Sequence, residues 1–211
     1  MSRVPAEQRR EQLIEATIAL AIEEGLAAAS VRRIADKANV SLGVVHYCFS
    51  SKEALINAVA EAFITPILGP VGEALAGVAD QGVEEKARLA FQTFWDVTHH
   101  SPGRQLLSYE LAAWSIRGDG VAAKLLYQTY LDAIEMFITE GVGVVGTDAL
   151  PTRTLARMVL SVADGVMLSW LVDRDDEATQ KALQAFVAVL LDVVKHGLDA
   201  GILNQSGSAG A

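Results

Sequence analysis

A run of 26 residues near the N-terminus, Ser30 to Leu55, carries the signals of three short helices separated by tight turns. Ser30, Ser41 and Ser51 each stand where a serine can cap the first turn of a helix. Asn39 tolerates the left-handed conformation that a sharp turn needs. Two short amphipathic helices joined by such a turn are typical of a helix-turn-helix, whose second helix enters the major groove of DNA. The segment therefore predicts DNA binding.

The net charge of −9 by itself argues against a nucleic-acid partner. The charge is unevenly distributed, because residues 1–60 carry seven basic and seven acidic side chains whereas the other 151 residues carry ten and nineteen. The N-terminal segment is thus neutral, with Arg32 and Arg33 at the start of one helix. Such a segment can still approach phosphate, and we expect the acidic remainder to face solvent or itself.

Composition indicates a folded protein in a reducing compartment. Apolar residues make up 51% of 211 residues, which is too many for disorder and enough for a small module plus a larger one. Cys48 is the only cysteine, so no intrachain disulfide can form. The N-terminus lacks an apolar signal core, and the longest apolar stretches, such as 158–172, are interrupted by Asp164 and shorter than the ~20 residues of a membrane span. We therefore expect a soluble, cytoplasmic protein with no membrane partner.

Hydrophobic residues recur with the helical period along the whole chain, which predicts an all-α fold of about nine helices. We expect an N-terminal helix-turn-helix domain of three helices over residues 1–63, a larger helical domain over 64–205 and a disordered tail over 206–211. We predict one helix over residues 7–24 and one after each serine cap at Ser30, Ser41 and Ser51, of which the last ends near residue 65. The helices predicted after these are 67–79, 83–100, 103–117, 120–141, 152–173 and 176–200.

The pattern in residues 7–63 resembles the TetR family of bacterial transcriptional regulators. The resemblance rests on Ser30-Val-Arg-Arg-Ile-Ala, on Val40-Ser-Leu-Gly-Val-Val-His-Tyr-Cys-Phe49 and on Ser51-Lys-Glu-Ala-Leu55. It covers about a quarter of the chain. A weaker likeness lies in residues 162–171, which are similar to the Asp-Gly segment in the penultimate helix of many members.

The resemblance assigns the DNA contacts to the helix before the turn, the recognition helix and the lysine that follows it. Arg32 and Arg33 would reach the DNA backbone or a guanine edge, and Lys52 a phosphate. Val44 stands where the family often has Thr or Ser, and could meet a thymine methyl. His46 stands where Tyr is frequent, which leaves the usual backbone contacts open. The predicted contact residues are Ser30, Arg32, Arg33, Ser41, Leu42, Gly43, Val44, His46, Tyr47 and Lys52.

The resemblance also implies that the residues past about 65 bind a small-molecule effector. Aromatic residues concentrate in the middle helices, a pattern that fits either a pocket or a plain helical core. Glu110, between Tyr109 and Trp114, could hold a cationic or amphipathic ligand within an aromatic cage. The predicted ligand-binding residues are Trp95, His99, Glu110, Trp114, Tyr127, Tyr130, Asp164, Met167 and Trp170.

The last two long helices are predicted to join two copies into a homodimer, as the resemblance implies. Residues 155–171 and 182–194 are apolar over wider arcs than one core face requires. Two such helices from each subunit would make a four-helix bundle. Small residues would allow close approach, namely Ala156, Ser161, Ala163 and Gly165.

No catalytic, cofactor or metal site is expected. The Gly-x-Gly-x-x-Gly string at 141–146 follows a helix instead of a strand, so it reads as a connection. His99 and His100 are adjacent and point to different sides of a helix, a poor geometry for one metal ion.

The predicted function is that of a ligand-responsive repressor, released from a palindromic, double-stranded operator by a small apolar or amphipathic effector. Activation instead of repression stays open. Two other classes of function are also open: a helical small-molecule-binding protein or enzyme that keeps the N-terminal module without using it for DNA, and an adaptor that acts through its C-terminal helices.

Overall fold

The computed structural model describes residues 5–62, 65–143 and 150–196, and within these ranges it contains ten α-helices and no strand. The predicted all-α class is confirmed, and the ten described helices compare with an expected count of about nine. The helices are α1 (Ala6–Glu24), α2 (Val31–Lys37), α3 (Leu42–Cys48), α4 (Lys52–Ala62), α5 (Thr65–Ala76), α6 (Val83–His99), α7 (Pro102–Arg117), α8 (Val121–Met136), α9 (Thr152–Asp173) and α10 (Asp176–His196). A 3₁₀ turn follows α1 at Leu26–Ala28, and α8 continues as a π-helical turn over Phe137–Val142. The predicted boundary at residues 63 and 64 and the predicted tail lie outside the described residues.

The helices group into two compact units. The first unit comprises residues 1–66 and 101–128, and the second comprises residues 67–100 and 129–211. The first unit therefore contains α1 to α4, α7 and the first half of α8. The chain passes from the second unit to the first between the end of α6 at His99 and the start of α7 at Pro102.

The core of the first unit forms around α1. Five residues that recur with the helical period on one face of α1 are all buried, namely Leu13, Ala16, Thr17, Leu20 and Ala21. Ile34 of α2, Val45 of α3 and Leu55 of α4 pack into the same core. Two leucines of α7, Leu107 and Leu111, complete it with 1% and 2% of their surface exposed. A helix distant in sequence thus belongs to the core of the N-terminal helices.

Two further contacts tie α7 to the C-terminal end of α1. At Gly103 a Cβ atom would lie 2.8 Å from Cγ2 of Ile22, so the close approach of the two helices requires glycine. The Glu110 carboxylate accepts the Leu26 backbone N–H at 2.7 Å. The preceding residue, Gly25, has a φ of 83°, a conformation that favours glycine. Packing therefore places α7 with α1 to α4, whereas the division into domains at residue 63 stays a prediction.

The core of the second unit joins α6, α9 and α10. Trp95, Met167, Trp170 and Leu183 form one buried cluster. The hydroxyl of Thr98, a buried residue of α6, donates to the Phe94 carbonyl at 2.7 Å, which satisfies the polar group inside this apolar region. The cluster is a packed core formed by the faces that the helical period predicts.

Candidate nucleic-acid interface

The turn between α2 and α3 has the geometry that its sequence predicts. Asn39 adopts a φ of 51°, in the left-handed region. The Val40 N–H donates to the Ala35 carbonyl at 3.0 Å, which closes the turn. Because one carbonyl of α2 is satisfied in this way, the chain can leave α2 and start α3 within a few residues.

Two of the three predicted serine caps form. The hydroxyl of Ser30 accepts the backbone N–H three residues later at 3.3 Å, and that of Ser51 does so at 3.1 Å. Ser41 occupies the N-cap position of α3, but its side chain makes no capping hydrogen bond. The expectation that the Ser41 hydroxyl caps α3 is therefore wrong in this structure, and that exposed hydroxyl retains its hydrogen-bonding capacity.

The recognition helix α3 is anchored from its inner face and from its C-terminal end. Val45, Cys48 and Phe49 are buried. The Arg10 guanidinium donates to the Cys48 carbonyl at 2.6 Å and lies 4.2 Å from the Phe49 ring centroid. A cation at this position suits the negative end of the helix dipole and a free terminal carbonyl. Sequence reasoning missed Arg10 because nothing in the sequence around it points to α3.

The outer face of α3 is open. Leu42 is 47% exposed and Tyr47 is 73% exposed, and Gly43 and His46 are also at the surface. A Cβ atom at Gly43 would meet no atom closer than 3.8 Å, so packing within the protein does not require glycine there. Val44 is half-buried and packs partly against the core, so it is the least accessible of the predicted contacts on this helix.

The predicted cationic contacts differ in their availability. Arg33 Nη2 lies 2.5 Å from Glu24 Oε1, and this hydrogen bond raises the pKa of the arginine above its usual value. Arg32 is exposed and forms no ion pair with any residue that the structure describes. Lys52, the first residue of α4, is likewise without an ion pair among the described residues and stands at the positive end of its helix. Arg32 and Lys52 are therefore the cations ready to meet phosphate.

Four of the predicted ligand-binding residues come together in the second unit. The His99 ring lies 4.7 Å from the Trp95 ring and 5.2 Å from the Trp170 ring between centroids. His99 Nε2 lies 3.1 Å from Asp176 Oδ2, and Trp170 Nε1 donates to Asp176 Oδ1 at 2.7 Å. Met167 is fully buried in the same cluster. Asp176, which sequence reasoning did not select, connects the histidine and the indole.

The other candidates are not part of this cluster. Glu110 and Trp114 belong to the first unit, where the carboxylate binds the Leu26 N–H and the indole packs partly against the core. The aromatic cage proposed around Glu110 therefore has its carboxylate engaged by the main chain. The remaining candidates, which are half-buried, are Tyr127, Tyr130 and Asp164. A role of these residues in ligand binding stays a prediction.

Asp176 predicts a component of stability that depends on acid pH. The indole N–H of Trp170 and the charge of His99 lower the pKa of this carboxyl below its usual value. A carboxyl group whose pKa is lower in the folded than in the unfolded chain stabilises the fold when it is ionised. This stabilisation is fully present above the pKa of the unfolded chain, ~3.9, and is lost as pH falls through the pKa of the folded chain. We expect the urea midpoint of Asp176→Asn to fall less between pH 5 and pH 2.5 than that of the wild type. Asp80→Asn, on an exposed loop, is the control, and equal pH profiles for Asp176→Asn and wild type would contradict the assignment.

The first unit contains a helix-turn-helix whose recognition helix is exposed, and the chain adds a second helical unit. These two features define a DNA-binding protein with an added helical domain. The family model described as "Bacterial regulatory proteins, tetR family" matches residues 13–59, which cover α2, α3 and most of α1 and α4. The helix-turn-helix part of this chain is therefore that of the TetR family of bacterial transcriptional regulators.

Relatives and solved structures agree with this family. The nicotine-responsive transcriptional repressor HdnoR of Paenarthrobacter nicotinovorans is 26% identical over 194 residues, which are 91% of this chain and 98% of that protein. The transcriptional activator FasR of Mycolicibacterium smegmatis is 34% identical over 107 residues, 50% of this chain and 48% of that protein. SCO7518 of Streptomyces coelicolor A3(2) has the same fold, with a TM-score of 0.70 at 25% identity over 87% of this chain and 98% of that one. The predicted resemblance to this family, and with it the class of DNA-binding transcriptional regulators, is confirmed.

Proposed function

We propose that this protein is a repressor that binds a palindromic operator as a dimer and leaves it when a small apolar or amphipathic effector binds. The observation that carries the DNA-binding part is the open outer face of α3, where Tyr47 is 73% exposed. Arg32 and Lys52, on the helices before and after α3, form no ion pair with a described residue. A large aromatic side chain so exposed has no role in packing and suits contact with the DNA backbone. The assigned contacts are those predicted from the sequence, with Arg32 and Lys52 as the principal cations.

The dimer would form through α9 and α10. Both helices carry an outward stripe of small and apolar residues, Ser161, Gly165, Leu168 and Val172 on α9 and Ala178, Ala182, Ala185 and Val189 on α10. Val172 is 81% exposed and Val189 60% exposed, which supports a partner surface. Of the four small residues predicted to allow close approach, Ala156 and Ala163 are buried within their own chain, and Ser161 and Gly165 are exposed and available to a second copy. Sedimentation at micromolar concentration should give about twice the 22.5 kDa of one chain.

A dimer accounts for the operator and for release. Two recognition helices related by a twofold axis read half-sites about one turn of B-DNA apart, ~34 Å, or a near multiple. An effector that favours a conformation with another spacing releases DNA only if it binds that conformation more tightly. Moving the population from 1:99 to 99:1 requires an affinity ratio of ~10⁴. HdnoR, which is named as nicotine-responsive, supports a small-molecule effector for this chain.

We place the protein in the cytoplasm. Among the described residues α9 is the one helix long and apolar enough to cross a membrane, and a third of its most apolar window is buried within the protein. A helix with one face in the core and the other in a dimer interface has the same length and composition. The apolar character of α9 is therefore explained without a membrane.

We assign a regulatory and not a catalytic activity to this protein, because its relatives are transcriptional regulators. A helical ligand-binding protein or enzyme with an unused N-terminal module is the alternative. Selection of bound sequences from random DNA duplexes separates the two. We expect enrichment of a palindrome with half-sites about one turn apart, or near a multiple of it, and failure to enrich any sequence would favour the alternative. Reporter expression with and without the protein then distinguishes repression from the activation for which FasR is named.

Lys52→Ala should weaken binding to all DNA sequences by a similar factor. Loss of one phosphate contact removes the release of about one counterion, so the slope of log K against log salt should become about 0.9 units less steep. The measurement is fluorescence anisotropy with a selected duplex and with a duplex of arbitrary sequence between 50 and 300 mM salt. Lys181→Ala, an exposed lysine of α10, is the matched control. Unchanged affinity and slope for Lys52→Ala would remove this residue from the interface.

A further inference from the structure

The second unit contains a groove between α6 and α10 that the predicted ligand residues, with the exception of Trp95, do not touch. It has a volume of about 330 Å³. The Lys195 ammonium of α10 pairs with Glu84 at the start of α6, and His99 at the end of α6 lies 3.1 Å from Asp176 at the start of α10. The two helices therefore run in opposite directions, and they are linked by an ion pair at one end of the α6–α10 groove and by the His99–Asp176 contact at the other.

The floor of the α6–α10 groove is apolar and fixed by packing. Phe91 and Trp95 line it from α6, and Leu183 and Val187 line it from α10. The Phe91 ring meets Phe186 edge-on with centroids 5.7 Å apart, and Trp95 meets Trp170 edge-on at 5.6 Å. Aromatic rings held in this way offer a flat apolar ligand a preformed surface.

The rim of the groove offers neutral hydrogen-bonding groups. Gln92 lies on the α6 side, and Gln180 and Gln184, one helical turn apart, lie on the α10 side. The Gln92 side chain donates to Asp96 at 2.9 Å, which leaves its carbonyl oxygen as an acceptor. Gln180 and Gln184 make no side-chain hydrogen bond to any residue that the structure describes. Each carboxamide can donate and accept, so the rim suits a ligand whose edge carries both kinds of group.

The charged residues at the groove are already paired inside the protein. Arg88 Nη2 lies 2.5 Å from Glu85, and Glu84 is bound by Lys195. These hydrogen bonds lower the pKa of both carboxyl groups, so both are charged at neutral pH. A ligand with a formal charge would find no free counter-charge among the residues that line the groove and would lose hydration on entering. The groove therefore favours an uncharged ligand.

We propose that the α6–α10 groove is a binding site for an uncharged, flat aromatic molecule with an amide-like hydrogen-bonding edge. The site rests on the proposed function, because such a molecule would be an effector of the regulator. The volume is at the lower end of the range for ligand pockets, ~300–1,000 Å³, and suits a bicyclic ring system. The ring would lie on the aromatic floor while its polar edge meets Gln180 and Gln184.

Three probes that share one ring and differ in charge test the ligand class: 1-naphthamide, 1-naphthoate and 1-naphthylmethylammonium. Calorimetric titration of the full chain should show naphthamide binding about tenfold more tightly than either ion, because neither ion finds a free partner. Equal affinity for the three probes, or tighter binding of an ion, would overturn the proposed ligand chemistry.

Groove variants test the location. Val187→Trp fills the groove and should weaken naphthamide binding more than tenfold, and Gln184→Leu should weaken it about fivefold, the effect of one neutral hydrogen bond. Gln81→Leu, at an exposed position outside the groove, is the control and should leave affinity unchanged. Gln184 is at the surface, so its variant tests the site even if Val187→Trp fails to fold. Unchanged naphthamide affinity in Gln184→Leu would overturn the site. If the groove variants change only the sedimenting mass of the protein and not its naphthamide affinity, the groove is an interface between copies and the site is likewise overturned.

Release of the selected operator duplex separates this site from the proposed function. Release by naphthamide that Gln184→Leu weakens supports both. If naphthamide releases DNA from Gln184→Leu as potently as from the wild type, ligand-responsive regulation is supported but the groove is not the site of the effector. Naphthamide binding that Gln184→Leu weakens, but without any release, supports the groove as a binding site and removes it from the regulatory mechanism.

Discussion

Replacing Arg32 by alanine should weaken binding of the selected operator duplex by about 10- to 100-fold. The expected size is that of one lost contact to a guanine edge, ~1–3 kcal/mol. Arg32 is exposed at the first turn of α2 and forms no ion pair with a described residue, so its guanidinium can reach DNA without breaking an internal bond. The measurement is fluorescence anisotropy at one fixed salt concentration, with the unfolding midpoint of each variant as a check on folding.

The neighbouring arginine is the matched control. Arg33 is held 2.5 Å from Glu24, so its guanidinium would have to give up this partner to contact DNA. Arg33→Ala should therefore change operator affinity by about threefold or less. If Arg33→Ala costs more affinity than Arg32→Ala, the pairing with Glu24 does not persist on DNA and the assignment of the principal cation is reversed.

Leu107→Ala should destabilise the first unit by about 3 kcal/mol, within the range of 2–5 kcal/mol for buried leucines. Leu107 lies on α7, far in sequence from the DNA-binding helices, but it is 1% exposed within their core. Hydrogen exchange followed by mass spectrometry should show faster exchange across α1 to α4, because it reports local opening of that unit. Urea unfolding gives the overall loss.

The adjacent leucine provides the comparison. Leu106 is 49% exposed, so Leu106→Ala should change stability by ~0.5 kcal/mol or less and leave exchange in α1 to α4 unaltered. Equal effects of the two substitutions would show that α7 does not contribute to the core of the DNA-binding helices in solution.

The N-terminal fold could be predicted because its signals are local. The cap at Ser30 and the turn at Asn39 each depend on residues within a few positions, and both were predicted correctly. The cap at Ser41 was not, because an N-cap position permits a hydrogen bond without requiring it.

The arrangement of residues distant in sequence could not be predicted from patterns. Glu110 was selected as a ligand residue from its aromatic neighbours, but its carboxylate binds the backbone of Leu26, 84 residues away. The pairing of Arg33 with Glu24 likewise depends on how α1 and α2 pack. Among the candidate ligand residues the sequence identified aromatic ones that do meet in space, whereas Asp176, which links two of them, carried no local signal.

The packing of α7 limits how such regulators can be recombined. A chimera that joins residues 1–63 to the remainder of a different regulator would place foreign side chains against the core positions of Leu107 and Leu111. The close approach at Gly103 would also have to fit a new α1. The DNA-binding module of this protein therefore consists of two separate stretches of chain. To change operator specificity by exchanging the N-terminal segment, α7 must be exchanged with it.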